Sequence, residues 1–116
     1  MSTPQIWHNP RCSKSRQTLA LLKENGIEPE VVLYKENAPS AQEISEVLHS
    51  LGLPALGLIR QKDAAFKALN LPTTESESAL IAAMVAHPEI IERPIVRHQG
   101  KAAIGRPPEQ VLQLFA

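Results

Sequence analysis

One cysteine, Cys12, stands in a chain of 116 residues. No disulfide can form within the chain, which excludes a disulfide framework and a cysteine-rich zinc site. Aromatic residues make up only 3% of the sequence, so its core must be built mainly from Leu, Ile, Val and Ala. The N-terminus has no apolar stretch of the signal-peptide kind. No hydrophobic run approaches the ~20 residues needed to span a bilayer. A cytoplasmic protein without membrane contact is expected. Net charge is also missing: 12 Lys and Arg balance 12 Asp and Glu, which argues against a nucleic-acid partner. Repeats, low-complexity tracts and long linkers are absent, and the length suits a single domain over residues 1–116.

The charge that is present is unevenly spread. Residues 1–23 hold Arg11, Lys14, Arg16 and Lys23 and no acid, while residues 24–50 hold six acids and one Lys. Residues 93–116 return to basic, with Arg93, Arg97, Lys101 and Arg106 against Glu109. A fold that joined the two ends would create a local positive site on a neutral protein.

The ten prolines punctuate the chain rather than cluster in a linker. Gln5–His8 reads as a first strand stopped by Asn9-Pro10. Ser13 to Asn25 reads as a helix with Leu19 and Leu22 on one face, ended by Gly26. Glu30–Tyr34 reads as a second strand. Ser40 and Glu43 have capping-box spacing before Ile44, Val47, Leu48 and Leu51, with Gly52 as the stop. A further helix is expected around Leu56–Leu69. Thr74 and Glu77 repeat the capping-box spacing before Leu80, Ile81, Met84 and Val85, closed by His87-Pro88. Two strands, Ile95–His98 and Lys101–Gly105, flank a Gln99-Gly100 turn. Pro107-Pro108 then opens a last helix with Val111, Leu112 and Phe115 buried. The order is β-α-β, a helical block, then β-β-α. It predicts an α/β fold with a mixed four-stranded sheet and a helical insertion before the third strand, similar to the thioredoxin-like plan. Another small α/β or α+β domain is the alternative.

Cys12 follows the first strand and opens the first helix. The thiolate is the reactive form of cysteine, and helix N-termini favour it through unpaired N–H groups and the dipole. The same helix start suits an oxyanion. Arg11, Lys14 and Arg16 add positive charge, as does His8 when protonated, and Ser13 and Ser15 offer hydroxyl donors. A lone cysteine is more often a small buried hydrophobe, but Asn9, Pro10, Arg11, Ser13 and Lys14 are not core company. A redox nucleophile must be restored by a second thiol. The chain has none, so the thiol comes from outside, most simply from glutathione or a glutaredoxin. Ser15 stands where a Cys-X-X-Cys pair needs its second cysteine. Thr18 stands where a phosphatase-type Cys-X5-Arg loop needs arginine. His8, His49 and His87 show no metal-ligand spacing, so no metal is expected.

The run from His8 to Arg16, with Leu58-Ile59-Arg60, Glu92-Arg93-Pro94-Ile95 and Ile104-Gly105-Arg106-Pro107-Pro108, resembles the glutaredoxin-coupled arsenate reductases of the ArsC type. The likeness spans essentially the whole chain and is greatest to the short bacterial, YfgD-like branch. It implies a thioredoxin-like fold and Cys12 as the residue that attacks arsenate. It implies Arg60, Arg93 and Arg106 as oxyanion-binding residues and His8 and Asn9 as support for the thiolate, beside the hydroxyl donor Ser15 already read from the loop. It also implies a cis Arg93-Pro94 bond, no bound cofactor, glutathione as reductant and glutaredoxin as partner. Better-known members carry small neutral residues around the cysteine, as in Ala-Cys-Gly-Thr, and a longer tail; here Arg11, Ser13 and Lys14 stand there. Two other readings remain: a glutathione-linked thiol oxidoreductase on another substrate, and a non-enzymatic transcription regulator of the Spx type. No coiled-coil or apolar interface pattern stands out, so a monomer is expected.

Overall fold

The computed structural model describes residues 3–70 and 76–115. The chain divides into two compact units. One joins Met1–Asn37 to Arg93–Ala116, and the other is Ala38–Glu92. Counted from the sequence, the first unit carries nine Lys and Arg against five acids, a balance of +4. The second carries three against seven, a balance of −4.

The first unit contains a four-stranded mixed sheet. Its strands are β1 (Gln5–Trp7), β2 (Glu30–Val32), β3 (Ile95–His98) and β4 (Lys101–Ile104), in the order β2-β1-β3-β4. Helix α1 (Ser13–Glu24) connects the parallel pair β1 and β2, while β3 runs antiparallel to both β1 and β4. Period-two alternation sorts the side chains onto the two faces. Ile6 and its partner Val96 pack with Leu22 of α1 and with Val111, all fully buried. Leu19, Leu112 and Phe115 extend this cluster. The Gln99-Gly100 turn joins β3 to β4 with both residues at positive φ, 51° and 77°, as a tight hairpin of this hand requires. Arg97 lies over the Trp7 ring at 5.9 Å, and His98 stacks on Phe115 at 4.7 Å.

Arg93-Pro94 is cis, as the resemblance implies; Arg106-Pro107 is cis as well. The last segment, Pro108–Phe115, is a 3-10 helix. Gln110 N–H donates three residues back to the Pro107 carbonyl at 3.1 Å, the spacing of a 3-10 turn.

The second unit contains α2 (Ala41–Leu51), α3 (Ala64–Lys67) and α4 (Glu77–Ala86). Ser40 caps α2 in a complete capping box. Its Oγ accepts from Glu43 N–H at 3.1 Å, and Glu43 Oε1 accepts from Ser40 N–H at 3.0 Å. The single helix expected around Leu56–Leu69 is instead three pieces. A 3-10 turn at Ala55–Leu58 leads to an extended Ile59 bridged to Ile91, and α3 follows. Asp63 breaks the run because its carboxylate caps α3, accepting from Ala65 N–H at 2.9 Å.

The start of α4 also differs from expectation. Ser76 is its N-cap and accepts from Ala79 N–H, while Glu77 accepts from Ala55 N–H at 2.9 Å. Thr74 lies outside the described residues. Among the described residues no helix is long and apolar enough to cross a membrane.

Candidate active site around Cys12

Cys12 is the N-cap of α1, in extended conformation, with its sulfur partly exposed. The loop before it is held by a small network. Asn9 Oδ1 accepts from Arg11 N–H at 3.0 Å, and the Asn9 carbonyl accepts from Cys12 N–H at 3.0 Å. Arg16 Nη1 donates to the Pro10 carbonyl at 2.9 Å, so this cation binds the loop from the next turn of α1. Such side chain to backbone bonds fix a turn that has no sheet or helix partners of its own.

Ser15 is fully buried beneath the loop. Its Oγ accepts from Asn9 N–H at 3.0 Å and lies 2.6 Å from His8 Nδ1. The Ser15 hydroxyl is therefore engaged with His8 and Asn9 rather than offered to sulfur. His8 is buried too. Burial, then the positive charges of Arg16 and Lys23, lower its pKa from the ordinary 6.5. The shift favours the neutral imidazole, so the positive charge around Cys12 comes from the arginines and Lys14 rather than from His8.

Arg106 Nη2 donates to Cys12 Sγ at 3.6 Å, and Arg106 Nε donates to the Arg93 carbonyl at 2.9 Å. Burial is the largest single influence on the thiol and pushes its pKa up. The Ser15 N–H, the Arg93 guanidinium and the Lys14 N–H together outweigh it, and the result lies below the usual thiol value. Cys12 closes no regular cap hydrogen bond, so these two N–H groups act on the sulfur chiefly as oriented dipoles.

The structure thus brings together Cys12, His8, Asn9, Ser15, Arg93 and Arg106. Arg60 belongs to the second unit, where Nε lies 3.3 Å from Asp63 and Nη1 lies 3.5 Å from Glu92. Beside the 8–11 loop lies a cleft of about 280 Å3, closed on the other side by Leu33, Lys35 and Glu36. Among the described residues no group of three or more His, Cys, Asp or Glu is placed to hold a metal ion.

Sequence reasoning missed two buried residues behind the site, Thr18 and Gly105. Thr18 Oγ1 donates to the Lys14 carbonyl at 2.8 Å. Gly105 offered the only signal, a glycine directly before an arginine.

A parallel pair extended by an antiparallel hairpin, with a cysteine at the start of the first helix, defines a thioredoxin-like α/β protein. Comparison with known proteins makes the assignment specific. The profile of the ArsC family matches residues 7–114, and the chain belongs to that family. It is 58% identical over 112 residues to the uncharacterized protein YfgD of Escherichia coli K12, covering 95% of this chain and 94% of that one. It is 47% identical over 109 residues to an arsenate reductase of Neisseria meningitidis, covering 92% and 93%. The solved arsenate reductase from Vibrio cholerae superposes with a TM-score of 0.92 at 50% identity, covering 96% of each chain.

Proposed function

We propose that this protein reduces arsenate to arsenite, with Cys12 as nucleophile and glutathione and glutaredoxin as the external thiols. The observation that carries the reading is the Cys12 sulfur at a helix start, 3.6 Å from Arg106 Nη2 and acted on by Arg93. A thiolate alone would repel an arsenate dianion. Two guanidiniums beside the sulfur offset that repulsion and stabilise charge as the sulfur–arsenic bond forms. His8, Asn9 and Ser15 support the thiolate by holding the loop. The resemblance also assigns Arg60 to the oxyanion, as the weakest contributor of the three, because Asp63 and Glu92 already hold its guanidinium.

In the first step the thiolate bonds to arsenic(V) and hydroxide leaves. Glutathione then displaces a second oxygen as water. A glutaredoxin thiolate attacks the glutathione sulfur, the sulfur–arsenic bond breaks, and its electron pair passes to arsenic, giving arsenic(III) and a glutaredoxin–glutathione disulfide. Water releases arsenite from Cys12. A single-cysteine protein needs this outside supply, because nothing in the chain resolves the adduct. A glutathione-rich cytoplasm suits it.

The test is arsenate-dependent NADPH oxidation with glutathione, glutaredoxin and glutathione reductase, run beside the Cys12→Ser protein. Turnover should fall by roughly a thousandfold or more in the variant while the fold persists. Wild-type protein that forms a mixed disulfide with glutathione yet turns over no arsenate would transfer the chemistry to another substrate.

A further inference from the structure

Behind the two arginines lies a contact too tight for one extra carbon. A Cβ built on Gly105 would stand 2.5 Å from Thr18 Oγ1, 3.1 Å from Thr18 Cγ2 and 2.7 Å from Pro94 Cγ. The Gly105 N–H donates to the Pro94 carbonyl at 2.9 Å, which joins the end of β4 to the start of β3. All three residues are buried. Each is coupled to a residue of the site. Pro94 follows Arg93, Gly105 precedes Arg106, and Thr18 lies on α1, the helix that Cys12 caps. The Arg106 bond to the Arg93 carbonyl ties the two turns together.

We propose that Thr18 and Gly105 are positioning residues, whose buried contact with Pro94 sets the distance from the Cys12 sulfur to the Arg93 and Arg106 side chains. A close-packed interior transmits displacement rather than absorbing it. Thr18 is held in its rotamer by the bond from its hydroxyl to the Lys14 carbonyl, and a proline ring has little freedom to retreat. A methyl group at residue 105 must therefore part β4 from α1. The guanidiniums would move away from sulfur, and a hydrogen bond weakens steeply as its geometry degrades.

The inference rests on Cys12 being the nucleophile, but its test uses no arsenate. Because Cys12 is the one cysteine, the rate of iodoacetamide alkylation against pH reports its thiol alone. In folded Gly105→Ala the profile should move up by about one pH unit, a roughly tenfold slower reaction below the pKa. The double variant Thr18→Ala, Gly105→Ala should recover part of that loss, since it clears two of the three close approaches. A Gly105→Ala protein that melts earlier but alkylates with the wild-type profile would reduce the contact to plain packing and overturn the proposal. Should Gly105→Ala fail to fold, Thr18→Ala decides. Its loosened contact should slow alkylation about threefold below the pKa, and a wild-type profile there would overturn the proposal equally. Wild-type protein without arsenate turnover would sink the reductase reading and leave this test intact.

Discussion

Arg106 and Arg60 are both half-buried guanidiniums, but they keep different company. Arg60 lies against two carboxylates, Asp63 and Glu92, in a unit whose balance is −4. Arg106 donates to a backbone carbonyl and to the Cys12 sulfur, in a unit whose balance is +4. A guanidinium between carboxylates is a cross-link within its own unit. One aimed by a carbonyl at a sulfur bears directly on that sulfur's reactivity. Residue type alone does not separate these roles; the partner atoms do.

The largest effect is expected from Arg106→Ala. It removes the donor at 3.6 Å from sulfur and should lower kcat/KM for arsenate on the order of a hundredfold. The alkylation profile of Cys12 should move to higher pH at the same time. Arg60→Ala should cost less than tenfold in kcat/KM, with a stability loss of about 1 kcal/mol from the lost ion pairs, read by denaturant unfolding. Equal losses for the two variants would break the comparison and mean that Arg60 leaves its carboxylates for the substrate.

Ser40→Ala sharpens the comparison from within the second unit. It deletes a capping box and should cost about 1 kcal/mol in unfolding while leaving the Cys12 alkylation profile in place. The smallest effect belongs to His8. Its pKa is lower in the folded state, so its neutral form is fully accommodated above about 6.5 and stability declines as pH falls below that value. Urea midpoints measured against pH should show this decline, and His8→Gln should flatten it.

Much of the fold was legible because its signals are local. The Ser40 box, the Gln99-Gly100 turn and the Ser13 start of α1 each depend on a few adjacent residues, and each stands where the spacing puts it. The stretch from Leu56 to Leu69 was not legible. Its apolar spacing fits a helix, but Ile59 pairs with Ile91 across the chain and Asp63 restarts the helix. The cysteine's setting was legible from Asn9-Pro10 before it and the basic residues around it. The direction of its neighbours' hydrogen bonds was not. Ser15 turns to His8 and Asn9, and burial lowers the His8 pKa. Likewise a threonine inside a helix gives no sign that it faces a glycine.

The β3–β4 hairpin has a further meaning for how this chain tolerates change. Arg93 stands just before one strand and Arg106 just after the other, and the register pairs Ile95 with Ile104 and His98 with Lys101. The hairpin is thus a ruler that lays two distant letters of the sequence side by side, and its tip lies at the far end from them. Residues added at the tip lengthen a loop. A single residue inserted within either strand shifts the ruler by one mark, turns the following side chains to the opposite face, and separates the arginines. This chain should therefore accept insertions at Gln99-Gly100 but not within the strands between the tip and the arginines.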